Sequence, residues 1–94
     1  MSRIAAVFHF PDMKQAQYDE LVEQIEALEA ADPGLAEGRI IHVGMPDGDG
    51  WMAFDVWESA EDFGRMGQAL GAVFENTGVA FAPPTVYPVH NTMM

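Results

Sequence analysis

The period of the apolar positions changes repeatedly along the chain, and each change predicts an element. Arg3 to Phe10 (RIAAVFHF) is nearly continuous apolar sequence with β-branched and aromatic bias, halted by Pro11, and reads as a strand. Pro11-Asp12 opens a helix, with Asp12 as its cap and Gln15 three residues on, the spacing of a capping box. Tyr18, Leu21, Val22, Ile25 and Leu28 then recur at threes and fours as one apolar stripe. Asp32-Pro33-Gly34 ends that helix, because proline disfavours a helical predecessor and glycine tolerates left-handed angles. Gly38 to Met45 (GRIIHVGM) is a second strand, Pro46 to Gly50 a turn, and Trp51 to Trp57 (WMAFDVW) a third strand. Ser59 caps a second helix, with Asp62 where an acid suits the helix dipole. Its stripe is Phe63, Met66, Leu70, Val73 and Phe74, and Asn76-Thr77-Gly78 closes it. After the Pro83-Pro84 connection, Thr85 to His90 (TVYPVH) is a short strand that lies at an edge or carries a bulge, because Pro88 has no N–H.

The order β-α-β-β-α-β predicts one domain over residues 1–94 with the ferredoxin-like α+β arrangement. In it a four-stranded antiparallel sheet of order 4-1-3-2 carries both helices on one face. The strands have bulk at both parities. In the third, Trp51 and Trp57 point one way and Met52, Phe54 and Val56 the other. A large apolar sheet face left without helices calls for a cover, and a second copy of the chain gives a sheet-on-sheet homodimer.

The segment GRIIHVGMPDGDGWMAFDVWESAEDF and the ending VYPVHN resemble the dimeric α+β barrel superfamily, most closely its small antibiotic-biosynthesis-monooxygenase-like (ABM-like) proteins. Trp57-Glu58-Ser59, leading into the second helix, is the most recognisable piece. The resemblance implies a homodimeric barrel, a pocket between helices and sheet within each subunit, and Trp57 at the position of a pocket tryptophan. Among the relatives are cofactor-free oxygenases, haem-degrading enzymes, isomerases and binding domains without catalysis. Haem-degrading members carry a ligand histidine ten residues after that tryptophan and an asparagine on the first strand. This chain has Gly67 at the first position and no asparagine between Arg3 and Phe10, which argues against haem degradation.

Composition narrows the chemistry. Four basic against fifteen acidic residues give a net charge of −11, which disfavours nucleic acid as a partner. No cysteine is present, so disulfides, thiol catalysis and thiolate-bound metals are excluded. No apolar run approaches the ~20 residues of a membrane span, and Met1-Ser2-Arg3-Ile4 does not open a signal peptide; a cytoplasmic protein without a membrane role is expected. His9, His42 and His90 are scattered, so no metal site is expected within one subunit, which leaves only one built across a dimer; with no cysteine and no phosphate-cradling glycine motif, no cofactor is expected. Asp47-Gly48-Asp49-Gly50 is a fragment of a calcium-loop pattern without its remaining ligands, and reads as a turn.

His42 and Asp55 are the candidate catalytic pair. If Asp47 to Gly50 form a four-residue hairpin loop, Pro46 opposes Trp51, Gly44 opposes Ala53, His42 opposes Asp55 and Ile40 opposes Trp57. The imidazole is then either a polarised general base or half of a structural pair satisfying a buried carboxylate. Trp57 and Trp51 either wall a pocket for a flat aromatic or polyketide-like ligand or pack as core. Tyr18 either places a phenol over that cavity or closes its stripe at the surface. Gly64, Gly67 and Gly71 share one flank of the second helix, where missing side chains permit close packing or leave volume for a ligand; Gly67 and Gly71 are candidate pocket residues. Asp19, Glu20, Glu23, Glu26 and Glu29 read as a solvated acidic face. Two functions follow. One is a cofactor-independent monooxygenase-like enzyme for a small aromatic or polyketide-type substrate, with His42 as base and Asp55 orienting it. The other is a non-catalytic dimeric module that binds a small apolar molecule or only itself.

Overall fold

A computed structural model of the chain describes residues 2–80 and 82–93. Its elements are β1 (Ile4–Phe10), α1 (Gln15–Ala31), a 3-10 turn (Pro33–Ala36), β2 (Arg39–Asp47), β3 (Gly50–Trp57), α2 (Ala60–Thr77) and β4 (Thr85–Pro88). The four strands form one antiparallel sheet in the order β2-β3-β1-β4. This is the ferredoxin-like α+β topology that the alternation of elements predicts. No helix among the described residues is long and apolar enough to cross a membrane.

The first helix starts later than its capping signal suggests. Pro11 and Asp12 form a turn in which Met13 N–H donates to the Phe10 carbonyl at 3.2 Å. That turn buries Met13 in the core, at 3% exposure, and delays the helix to Gln15. Asp12 is therefore no cap; the Gln17 side chain instead accepts from the Lys14 N–H at 2.9 Å. The second helix begins as read, with Ser59 Oγ accepting from the Asp62 N–H at 3.1 Å, a bond worth about 1 kcal/mol at a helix start. It ends on Gly78 at φ 72°, an angle that a β-carbon would strain.

The β2–β3 hairpin turns on two residues, Gly48 and Asp49, and not on four, since Asp47 and Gly50 already pair. Closing one pair further leaves the rest of the register unaltered. Pro46 opposes Trp51, Gly44 opposes Ala53 and His42 opposes Asp55. Beyond Ile41 the ladder slips by one residue. Arg39, and not Ile40, faces Trp57. This bulge reverses parity at the start of β2 and moves Arg39 onto the helix-covered face.

On that face Ile4, Ala6, Phe8 and Phe10 of β1 and Ala53, Asp55 and Trp57 of β3 are buried against Leu21 of α1 and Met66, Leu70, Val73 and Phe74 of α2. Among the described residues the opposite face has no helix. The register sets out its side chains in three rows across the sheet: Ile41, Val56, Ala5 and Tyr87; Val43, Phe54, Val7 and Thr85; Met45, Met52 and His9. Most of these are apolar, and within one chain none of them is buried.

Candidate functional site

A cavity of about 190 Å³ lies between α1 and the β2–β3 side of the sheet, closed at its inner end by α2. Phe8, Phe10, Leu21, Ile25, Met66, Leu70 and Phe74 give it an apolar body. Its polar wall is made by Tyr18, His42 and Asp55, and a second polar edge by Arg39, Glu26 and Glu29. The stripe of α1 thus serves two ends: it packs on the core at Leu21 and frames the cavity from Tyr18 to Glu29.

Asp55 sits mid-strand at 8% exposure and has partners on both oxygens. Oδ1 meets Nδ1 of His42 from the opposed position on β2, and Oδ2 accepts from Nε1 of Trp57 at 3.4 Å. The other ring nitrogen of His42, Nε2, lies 2.6 Å from the Tyr18 hydroxyl. Proton positions follow from the chemistry. A carboxylate only accepts, so Nδ1 carries the hydrogen; the neutral ring then has its lone pair on Nε2, and the phenol donates to it. Asp55, His42 and Tyr18 form a continuous chain of hydrogen bonds from a buried carboxylate to the cavity wall.

Tyr18 is held from three sides. Its ring stacks on Trp51 at 5.1 Å between centroids and lies nearly parallel to His42 at 6.2 Å. Its hydroxyl crosses β2 over Gly44, where a β-carbon would collide with Oη and Cζ of the phenol. Glycine at this point in the strand is a requirement of that close approach. Burial raises the Tyr18 pKa above its ordinary value, and the negative charges of Asp55 and Asp19 push the same way. The resting group is a phenol.

Arg39 makes a double hydrogen bond to Glu29, at 2.6 and 2.8 Å, and its guanidinium lies 6.0 Å from the Trp57 ring centroid. The bond to Glu29 raises the arginine's pKa against the opposing effect of burial. The two charges close on each other at this edge of the cavity, with Glu26 beside them.

His42, Asp55 and Tyr18 are brought together, and the remaining expected pocket residues are placed otherwise. Trp57 is wholly buried, packed against Phe63, and supports Asp55 from behind without lining the cavity. Trp51 supports Tyr18, and its own indole N–H is buried with no acceptor among the described residues. Gly67 and Gly71 do not line the cavity: a β-carbon at either position meets nothing within 4 Å, because this flank of α2 is turned away from α1 and the sheet. Glu29 leaves the solvated acidic face assigned to it and pairs with Arg39 at the cavity's edge, while Glu26 stays exposed as it borders the same cavity. Arg39 was not legible as a site residue, since its position depends on the bulge. The only signal was the rarity of basic residues, four in the chain. Among the described residues no group of three or more His, Asp or Glu side chains is arranged to hold a metal ion.

No family model matches the sequence, and no curated protein does. Among solved structures the chain is similar to SnoaB, a cofactor-independent oxygenase from Streptomyces nogalater, with a TM-score of 0.58 at 12% identity, over 98% of this chain and 94% of that one. At this identity the likeness is one of fold: the chain has the α+β architecture of an oxygenase that uses no cofactor.

Proposed function

We propose that this chain is a cofactor-independent oxygenase acting on a small aromatic or polyketide-type carbon acid. The observation that supports the reading is the His42–Asp55 pair on the wall of an apolar cavity, in a fold shared with an enzyme of that kind. Removing a proton from an activated CH2 gives a carbanion, which passes an electron to dioxygen and recombines with it as a peroxide. Loss of water from the protonated peroxide leaves a ketone. One oxygen atom ends in the product and the other in water with both CH2 hydrogens, so the substrate supplies all the electrons. The chain's own part is to desolvate the substrate, hold it against the base, and let His42 keep the proton as an imidazolium paired with Asp55.

Cavity size limits the substrate. An apolar cavity of about 150 Å³ takes benzene, and ligand pockets usually run to about 300–1,000 Å³. A volume of about 190 Å³ suits one ring or two fused rings better than a long polycycle. Oxygen uptake with naphthalenediols, 2-tetralones and anthrones is the test. Turnover fastest on two-ring compounds and lost in His42→Ala supports the reading, while no uptake across the panel overturns it. The alternative of a non-catalytic binding module draws on one observation, that Trp57 packs as core and lines no cavity. Binding of the same compounds without uptake would favour it.

The working form is proposed to be a homodimer joined through the helix-free sheet face, on the strength of its three apolar rows and the resemblance to dimeric barrels. Light scattering should give twice the 10.3 kDa of one chain, and a monomer at micromolar concentration would refute it.

A further inference from the structure

Both nitrogens of His42 are already engaged, Nδ1 by Asp55 and Nε2 by the Tyr18 hydroxyl. A general base needs a free lone pair within hydrogen-bond reach of the proton it removes. His42 has none while Tyr18 is in place. The phenol oxygen does: it donates its one hydrogen to Nε2 and keeps an unshared pair, on a side chain that lines the cavity.

We infer that Tyr18 is the catalytic residue that meets the substrate, and that it takes the substrate's carbon-bound proton while handing its own phenolic proton to Nε2 of His42. The inference rests on the proposed carbon-acid chemistry. The step balances: a C–H bond breaks and its electron pair stays on carbon; a new O–H bond forms at Tyr18 as the old one breaks; an N–H bond forms at Nε2. Tyr18 is a neutral phenol before and after. The positive charge rests on the imidazolium beside the Asp55 carboxylate. The logic is that of a serine–histidine–aspartate triad, with a phenol in place of the serine and proton transfer in place of nucleophilic attack.

Three placements serve this role. The empty site at Gly44 lets the phenol cross β2 to reach His42. Stacking on Trp51 fixes the ring's azimuth. Burial and the nearby carboxylates disfavour a free phenolate, so removal of the carbon-bound proton by Tyr18 is coupled to delivery of the phenolic proton onto His42.

The test separates proton transfer from oxygen chemistry. Exchange of the carbon-bound hydrogens of 2-tetralone for deuterium is followed by NMR without oxygen, and oxygen uptake is measured on the same proteins. Tyr18→Phe keeps the ring on Trp51 and removes only the hydroxyl. It should lower the exchange rate about 100-fold, within the usual range for a general acid–base group. His42→Ala should lose as much, and the double variant no more, because the two act as one unit. Exchange at the wild-type rate in Tyr18→Phe, or losses that multiply in the double variant, would overturn the relay. Wild-type exchange without oxygen uptake sinks the oxygenase reading and leaves the relay standing. Oxygen uptake undiminished in Tyr18→Phe does the reverse. Neither exchange nor uptake in the wild type overturns both. Nitrogen NMR of the resting wild type gives a readout independent of any variant's folding: His42 must carry its hydrogen on Nδ1, and an Nε2–H tautomer refutes the relay.

Discussion

Replacing Gly44 with alanine puts one methyl group where the Tyr18 phenol lies. The two cannot occupy the same space, and the phenol must swing off β2. The molecule then loses the 2.6 Å hydrogen bond to His42, about 1 kcal/mol, and the stacking on Trp51, about 1 kcal/mol. Alanine returns about 0.5–1 kcal/mol, because glycine is the more costly residue to order in a strand. Residual crowding adds to the loss. The expected net is about 1–2 kcal/mol of destabilisation, or roughly 5–15 °C in melting temperature for a domain of this size. In a Tyr18→Ala background the collision partner is absent, and the same substitution should stabilise by about 0.5–1 kcal/mol. The four proteins of this cycle, unfolded in urea at one fixed concentration and followed by tryptophan fluorescence, should give a coupling energy of about 2 kcal/mol between positions 18 and 44. An equal loss in both backgrounds would mean that the phenol does not cross β2 at Gly44, and the hydrogen-bond chain from Asp55 would end at His42.

Other consequences are open to direct measurement. The raised Tyr18 pKa means that the native state holds the phenolic proton more tightly than the unfolded chain. The stability it contributes is complete below about pH 10 and is lost as pH rises through the folded value, so Tyr18→Phe should flatten part of the alkaline fall in stability. An alkaline fall identical in the two proteins would contradict the assignment of Asp55, Asp19 and burial as its causes. Asp55→Ala leaves the buried Trp57 indole N–H without its acceptor and should cost about 1–3 kcal/mol in urea unfolding, of which Asp55→Asn recovers part. Arg39→Met alone should destabilise, since it strands a Glu29 side chain at 17% exposure, while Arg39→Met with Glu29→Leu should return close to the wild-type melting temperature. Phe54→Lys, in the middle row of the helix-free face, should give a monomer by light scattering with the same far-ultraviolet spectrum; an unchanged dimer would place the interface elsewhere.

The sheet and the pairing of His42 with Asp55 were legible because they depend on parity and on one turn. Apolar runs bounded by Pro11, by the Asp47 to Gly50 turn and by Ser59 mark the elements, and their alternation leaves few topologies. His42 could be set opposite Asp55 by counting outward from the turn. The count survived a mistaken loop length, because shortening a hairpin by two residues closes one more pair without moving any other. Three things were out of reach. The start of α1 depends on Met13 finding a place in the core, a tertiary preference that overrides the Asp12 cap signal. The Tyr18–His42 bond depends on the height of α1 above the sheet, which no periodicity encodes. The position of Arg39 depends on a bulge at Ile40, and the sequence GRIIHV has nothing that separates a bulged isoleucine from a paired one.

That bulge divides β2 into two lengths with different masters. From Ile41 to Asp47 the strand's alignment is anchored by the hairpin turn, which sets His42 against Asp55. Before Ile41 it is anchored by the slip itself, which decides whether an arginine or an isoleucine faces the cavity. Inserting or deleting a single residue at this place would exchange the side chain that Arg39 presents at the cavity's edge while leaving His42 and Asp55 in register. The side chain that edges the cavity and the alignment of His42 with Asp55 are therefore set separately, the first by the slip in the strand and the second by the hairpin turn.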